Sequence, residues 1–294
     1  MRYKCVVSDL DKTLLNEEST LSATTRDVLE RLIEAGILVV PASGRPFGAF
    51  PECITKMDGI RYAITSNGVV LMDVEKREQI WSLKLQSQVV RSVFALLEHY
   101  SVTYEAFIDG KAYTGQDYFD CPEMFGVRPE IRGYIQSTRH AVPDIRSFLK
   151  EHEKELDCMD VIANPKEKDE ILKLVRETIP GIYVTTSAPH LIEISDEAAG
   201  KHAGLKKLLE MLKIDPSEAI AFGDGDNDSE MLREAGLGVA VSNAGELCRA
   251  AADMITASNE EDGVAEALYR VFPEIFGSKT GGIGKRKGIK KWEK

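Results

Sequence analysis

Acidic residues follow two apolar segments that lie far apart in the chain. Asp9 and Asp11 follow the first segment, and Asp224 and Asp228 follow the second. In open α/β sheets, ligands bind beyond the carboxyl ends of the strands. Carboxylates brought together there repel one another, and oxygen ligands suit Mg²⁺. One such cluster alone is more typical of a turn. Two clusters, each directly after a buried-type strand, indicate a metal site.

Two further polar segments have spacings that suit phosphate binding. Ser43 and Gly44 follow the apolar run 37–40. A hydroxyl and free backbone N–H groups at such a point can cradle a phosphate, although Ser-Gly alone is more often a turn. Lys201 begins a helical segment, where the helix dipole disfavours a positive charge. That mismatch suggests that Lys201 has a negatively charged partner.

These residues need a scaffold of alternating strands and helices. Ser22 is a plausible N-cap for an amphipathic helix that ends before Gly36. The continuous apolar runs 37–40 and 219–222 are typical of strands that are covered on both faces of a parallel sheet. Asn67-Gly68 predicts a hairpin. The fold class predicted from this pattern is α/β, with a Rossmann-like parallel sheet.

The middle of the chain differs because it is richer in aromatic and polar β segments, separated by helical stretches. We predict a discontinuous α/β core formed by residues 1–84 and 191–277. An α+β domain, residues 85–190, is inserted between the two halves. Residues 278–294 hold seven Lys/Arg and one acid, and we predict a basic flexible tail.

Composition restricts the location and the partners. The 294-residue chain has a formal net charge of −11, which argues against electrostatic wrapping of nucleic acid. The five cysteines are scattered and form no C-x-x-C pair, so reduced thiols and a cytoplasmic location are expected. We identify no signal peptide and no membrane span. Binding of RNA or an anionic membrane by the tail remains a less favoured alternative to simple solvation.

The four polar segments resemble, in order, the motifs of the haloacid dehalogenase (HAD) superfamily. Residues 43–45, 66–68, 238–244 and 261–265 also resemble its Cof-like phosphatases, whose large α/β cap matches the insertion. Each motif is short, but their joint order and spacing are specific. The four matching segments are Asp9-Leu10-Asp11-Lys12-Thr13, Ser43, Lys201 and Gly223-Asp224-Gly225-Asp226-Asn227-Asp228.

The resemblance implies a mechanism. Asp9 attacks phosphorus and forms an aspartyl-phosphate, while Asp11 protonates the leaving oxygen and then activates water. Mg²⁺ would bind the Asp9 carboxylate, the Asp11 backbone carbonyl and the Asp224 carboxylate, with Asp228 as a ligand or a holder of ligand waters. The substrate-binding residues implied by the resemblance are Ser43, Gly44, Lys201 and Asn227.

The expected activity is hydrolysis of small phosphorylated metabolites, with sugar phosphates ahead of pyridoxal phosphate and flavin mononucleotide. A phosphomutase is an alternative, because the same aspartyl-phosphate can transfer its group to a sugar. A non-catalytic phosphosugar-binding regulator is another, although Asp9 and Asp11 are both intact. The resemblance to ion-pumping ATPases stops after Thr13, and dehalogenases lack the second aspartate. No nucleic-acid or membrane partner is expected.

Overall fold

Two β-sheets organise the chain, and the computed structural model describes them within residues 2–277. The strands are β1 Cys5–Asp9, β2 Leu38–Ala42, β3 Tyr62–Thr65, β4 Val70–Asp73, β5 Glu78–Ser82, β6 Val102–Ile108, β7 Lys111–Gly115, β8 Arg139–Val142, β9 Cys158–Ala163, β10 Ile182–Thr185, β11 Leu191–Asp196, β12 Ala219–Gly223, β13 Leu237–Ala240 and β14 Met254–Ile255. The helices are α1 Ala23–Glu34, α2 Glu52–Thr55, α3 Ser87–Leu96, α4 Gln116–Asp120, α5 Arg132–Thr138, α6 Ile145–Glu151, α7 Lys168–Thr178, α8 Lys201–Leu212, α9 Ser229–Glu234, α10 Glu246–Ala251, α11 Gly263–Val271 and α12 Pro273–Phe276. The predicted basic tail lies outside the described residues.

The first sheet has the strand order β14-β13-β12-β1-β2-β3-β4-β5. Its strands run parallel from β14 to β3, and β3, β4 and β5 pair antiparallel. Strands β1 and β12 are buried along their whole length, as expected for central strands with helices over both faces. The predicted α/β fold with a parallel sheet is therefore confirmed, and β4 and β5 extend it as an antiparallel edge.

Local sequence signals account for the ends of several elements. Ser22 Oγ accepts a hydrogen bond from the Thr25 backbone N–H at 3.0 Å, so it caps α1 as predicted. Asn67 and Gly68 turn the chain between the antiparallel strands β3 and β4, which confirms the predicted hairpin. Helix α8 begins at Lys201, so this lysine projects from the first turn of a helix.

The second sheet has the order β10-β11-β9-β6-β7-β8 and is antiparallel except for the β7–β8 pair. One of its faces packs against apolar residues of α3, α6 and α7. From the opposite face, Phe107 and Cys158 pack into the hydrophobic core of the first sheet. This second face is therefore turned toward the carboxyl ends of the first sheet's strands.

The end of the insertion differs from the sequence-based expectation. Residue 191 was predicted to begin the second half of the core, yet strand Leu191–Asp196 pairs with β9 and β10 in the second sheet. Polar and apolar residues alternate in that segment, which is the pattern of a strand that is buried on one face only. We propose that the inserted domain extends from residue 85 to residue 196.

Within residues 2–277 no helix combines the length and the apolar character needed to cross a bilayer.

Candidate active site

The carboxyl ends of three neighbouring strands meet at one edge of the first sheet. Strand β1 lies between β2 and β12, with Asp9 opposite Ala42 and Ser8 opposite Phe222. The segments that follow these strands therefore emerge side by side. They carry the three motifs that the sequence places at residues 9–13, at Ser43 and at residues 223–228.

Asp9, Asp224, Asp228 and Lys201 come together there, and we call these four residues the acid cluster. Lys201 Nζ donates a hydrogen bond to Asp9 Oδ1 at 2.5 Å and another to Asp228 Oδ1 at 2.7 Å. Lys201 is only 2% exposed although it carries a charge. The expectation that this lysine has negatively charged partners is met by two carboxylates from segments far apart in the chain.

Backbone contacts fix the loop after β12. Asp228 Oδ2 accepts hydrogen bonds from the backbone N–H groups of Asp224 at 3.0 Å and Gly225 at 2.9 Å. Thr13 Oγ1 donates to Asp224 Oδ1 at 2.9 Å, which ties this loop to the one after β1. A Cβ atom on Gly223 would lie 2.4 Å from Asp228 Cβ, so the fold requires glycine at that position. The loop is therefore rigidly held around its carboxylates.

The hairpin between β3 and β4 brings Lys201 to the site. The Gly200 backbone N–H donates to the Asn67 carbonyl at 3.0 Å. Gly68 has a φ of +88°, and a Cβ there would lie 2.0 Å from the Gly200 carbonyl oxygen. Only glycine meets both demands, because it has no Cβ and tolerates positive φ. This close approach sets the position of the first turn of α8.

Burial and mutual repulsion dominate the electrostatics of the acid cluster. Burial raises the pKa of Asp9 well above its ordinary value; Lys201 opposes this shift, and Asp228 and Asp224 add to it. Burial and then Asp228 likewise raise the pKa of Asp224. Burial lowers the pKa of Lys201, but Asp228 and Asp9 outweigh this effect and raise it overall. Lys201 therefore remains charged at neutral pH.

The donor set fits a hard divalent cation. Asp9, Asp224 and Asp228 each offer one carboxylate oxygen, and these oxygens lie within 4.8 Å of one another. An all-oxygen set with room for water is the environment that Mg²⁺ prefers. Lys201 balances only one of the three negative charges, so a divalent ion would offset the other two.

The Asp11 side chain does not join the other acids. It forms a two-point ion pair with Arg45, whose Nε lies 2.7 Å from Asp11 Oδ2 and whose Nη2 lies 2.5 Å from Asp11 Oδ1. The guanidinium carbon of Arg45 also lies 5.6 Å from the ring centroid of Tyr134, which belongs to α5. The carboxylate of Asp11 thus faces the inserted domain and not the other three aspartates.

The proposed substrate-binding residues on the core surround Asn67. Ser43 Oγ accepts from the Arg45 backbone N–H at 3.2 Å, and the Asn67 backbone N–H donates to the Ser43 carbonyl at 3.1 Å. Asn227 Nδ2 donates to Asn67 Oδ1 at 3.0 Å. A Cβ on Gly44 would lie 3.1 Å from that same oxygen. Ser43, Gly44 and Asn227 therefore share one neighbour.

Several residues of the site had no role in the sequence-based predictions. Thr13, Arg45 and Asn67 each lie inside a motif that carries the resemblance, but motif position alone does not identify their partners. Asn243 Nδ2 donates to the Lys12 carbonyl at 2.8 Å and so supports the first motif. Glu193 contacts Asn67 from the second sheet, and no sequence signal singled it out.

Residues 6–268 match the family model of haloacid dehalogenase-like hydrolases. The chain therefore belongs to the haloacid dehalogenase-like hydrolase family. The predicted resemblance to the Cof-like members is confirmed, and so is the prediction of a HAD-type phosphatase as the class of enzyme.

Individual relatives cover nearly the whole chain. A putative phosphatase of Haemophilus influenzae is 28% identical over 275 residues, which are 93% of this chain and 100% of that protein. The 5-amino-6-(5-phospho-D-ribitylamino)uracil phosphatase YitU of Bacillus subtilis is 29% identical over 281 residues, covering 91% and 97%. The crystal structure of a haloacid dehalogenase-like hydrolase from Bacteroides thetaiotaomicron matches with a TM-score of 0.76 and 28% identity, covering 92% and 100%.

Proposed function

We propose that this protein is a Mg²⁺-dependent phosphatase that hydrolyses small phosphorylated metabolites through an aspartyl-phosphate on Asp9. The observation that carries the proposal is the acid cluster itself. A buried aspartate with a lysine at 2.5 Å and two further carboxylates around it suits attack on an anionic phosphoryl group.

In the first step, an Asp9 carboxylate oxygen forms a bond to phosphorus while the ester P–O bond breaks. Asp11 gives its proton to the departing alcohol oxygen. In the second step, water loses a proton to Asp11 and attacks phosphorus, and the Asp9–phosphorus bond breaks to release phosphate. Because Arg45 holds the Asp11 carboxylate in the present arrangement, Asp11 must exchange this partner for the leaving oxygen during the first step.

The remaining residues of the site would hold the metal ion and the phosphoryl group. Asp9, Asp224 and Asp228 would hold Mg²⁺ together with the Asp11 backbone carbonyl. When bound, the ion would supply positive charge that stabilises the transferred phosphoryl group. We propose that the phosphoryl oxygens are bound by Lys201 and Ser43, together with Gly44 and Asn227. Because these donors are held in place before the reaction, they stabilise the negative charge as it develops in the transition state.

Sugar phosphates are the proposed substrate class. The names of the relatives support phosphatase activity, and that of YitU specifies a phosphoribityl compound for that protein. Cytoplasmic location stays a prediction from the sequence. A phosphomutase differs in the acceptor of the phosphoryl group, so it is distinguished by release of inorganic phosphate without an acceptor sugar.

The test is hydrolysis of p-nitrophenyl phosphate by the full chain. We expect Mg²⁺-dependent turnover, lost on addition of EDTA, and a fall of at least about 10³-fold in kcat for Asp9→Asn, because the nucleophile is removed. Asp226→Asn is the matched control, since Asp226 is an exposed acid in the same loop outside the acid cluster. Full activity in Asp9→Asn would refute the proposed mechanism, and turnover in EDTA would refute the role of the metal.

A further inference from the structure

Three carboxylates line up across the second sheet, and we call them the carboxylate row. Asp160 on β9 lies opposite Glu105 on β6 and opposite Glu193 on β11. Because paired residues on adjacent antiparallel strands project to the same face, all three side chains share a face. They are 5%, 0% and 9% exposed respectively, so the row is buried.

The members of the row differ in their partners. Arg139 binds Glu105 through two hydrogen bonds of 2.9 Å. Glu193 accepts from Ser187 Oγ at 2.7 Å and from Asn67 Nδ2 at 3.2 Å.

The carboxylate of Asp160, in the centre, has no hydrogen-bond donor among residues 2–277. Buried carboxylates are ordinarily hydrogen-bonded, because loss of hydration costs several kcal/mol. The oxygens of Asp160 retain some access to solvent, so a donor from outside the protein can reach them.

The row adjoins the acid cluster. Glu193 contacts Asn67, and Asn67 contacts Asn227 in the loop after β12. At the other end of the row, the Arg139 guanidinium carbon lies 5.1 Å from the ring centroid of Tyr134, which also contacts Arg45. Both ends of the row therefore connect to residues beside the proposed phosphate position.

The arrangement argues against a second metal site. In the part of the chain that the structure describes, the only convergent set of three metal-type ligands is in the acid cluster. Arg139 already occupies both oxygens of Glu105. Burial, Glu193 and Glu105 raise the pKa of Asp160 well above its ordinary value, and burial raises the pKa of Glu193. A further anion beside the row would therefore be unfavourable, whereas a hydroxyl or ammonium donor would be favourable.

We propose that Asp160 and Glu193 form the specificity subsite for the part of the substrate remote from phosphorus, and that they select phosphate esters with hydroxyl or amino donors there while rejecting esters with a second anionic group. This inference rests on the proposed phosphatase function. Asp160 accepts the donor that it lacks in the free protein, and Glu193 links that donor to the core through Asn67.

The experiment compares two linear esters that differ at one carbon. Sorbitol 6-phosphate carries an alcohol where 6-phosphogluconate carries a carboxylate. Each is tested as a competitive inhibitor of p-nitrophenyl phosphate hydrolysis by the full chain, so the readout does not require turnover of either ester. For the wild type we expect the inhibition constant of 6-phosphogluconate to be higher by at least about tenfold, since like charges repel in a buried site.

Asp160→Asn and Glu193→Gln each replace an ionisable carboxyl group by a neutral amide of the same shape. In both variants the ratio of the two inhibition constants should fall by at least about threefold. Asp157→Asn is the matched control, because Asp157 is a buried acid of the same domain that binds Lys84 outside the row. The ratio of the two inhibition constants for Asp157→Asn should equal the wild-type ratio. Melting temperatures of all variants show whether they are folded.

The proposal of a specificity subsite would be overturned by a wild-type ratio of inhibition constants near one. It would also be overturned if neither Asp160→Asn nor Glu193→Gln changed that ratio. Failure of the wild type to hydrolyse p-nitrophenyl phosphate with Mg²⁺ would instead overturn the proposed function. The two failures are therefore distinguishable in one series of assays.

Discussion

The acid cluster and the carboxylate row contain the same kind of side chain in opposite arrangements. In the acid cluster, three carboxylates converge around Lys201, which contacts two of them. In the row, the acids lie side by side on successive strands, and the single cation, Arg139, contacts only one end. A convergent set suits one small ion and a transferred phosphoryl group. A linear set presents acceptors along the length of a larger molecule.

The difference follows from the kind of sheet that carries each group. Parallel strands release their loops at one edge, so side chains in those loops converge. Antiparallel pairing holds opposite residues about 5 Å apart on a flat face, so side chains stay in register. The same residue type therefore acquires two different uses.

After Asp9→Asn, the largest expected effect comes from substitution of Lys201. Lys201→Met should lower kcat for p-nitrophenyl phosphate by about 10²–10³-fold, the usual cost of removing one fixed donor to developing charge. Lys206→Met is the control, since Lys206 is exposed on the same helix. Steady-state kinetics with saturating Mg²⁺ provide the measurement. A wild-type kcat in Lys201→Met would mean that the convergent arrangement is structural only.

Loss of Arg139 should instead act on stability. Arg139→Met leaves Glu105 buried without its cation, and breaking a buried pair in this way costs about 3–5 kcal/mol. Urea unfolding gives the free-energy difference, and the double variant Arg139→Met/Glu105→Gln should recover much of it. Arg132→Met, which removes a partly exposed ion pair with Glu123, should cost no more than about 1 kcal/mol. Equal losses for the two single variants would contradict the burial of the row.

The smallest expected effect is on the pH dependence of stability. The pKa of Asp160 is higher in the folded protein than in the unfolded chain, so folding favours its protonated form. Its contribution is therefore most favourable at low pH and is lost as the pH rises toward the folded-state pKa. The charged and titratable groups around it are Glu105, Glu193, Arg139, Tyr118 and Cys158.

Asp160→Asn removes this titration. Relative to the wild type, the variant should become more stable as the pH rises above about 4, the ordinary pKa of an aspartate, by up to about 1.36 kcal/mol for each pH unit. Urea unfolding at several pH values with EDTA present measures the gain without metal binding. A constant difference between the two proteins across this range would show that Asp160 ionises normally.

Much of the core was predictable because its signals are local. The apolar runs before Asp9 and Asp224 predict buried parallel strands, and a strand followed directly by acids predicts where those acids lie. The presence of an inserted α+β domain was also predicted, from the aromatic and polar β segments in the middle of the chain. The end of the insertion was not, because strand Leu191–Asp196 is assigned by its pairing partners and not by its own residues.

The contacts of the site were less predictable than its members. Asp11 and Arg45 both lie in quoted motifs, yet nothing in either motif indicates that they form an ion pair. The carboxylate row was invisible, because its three acids are distant in sequence and each one resembles an ordinary charged residue of a strand.

Short segments are enough to place side chains at the ends of the core strands, since apolar periodicity and the following acids are properties of such segments. Folding decides which acid lies beside Lys201, which lies beside an arginine and which, Asp160, has a carboxylate without a donor among residues 2–277. Those outcomes depend on strand register and burial, which arise from contacts between distant segments. Once water is excluded, a charge is stabilised only by the groups that the fold brings next to it.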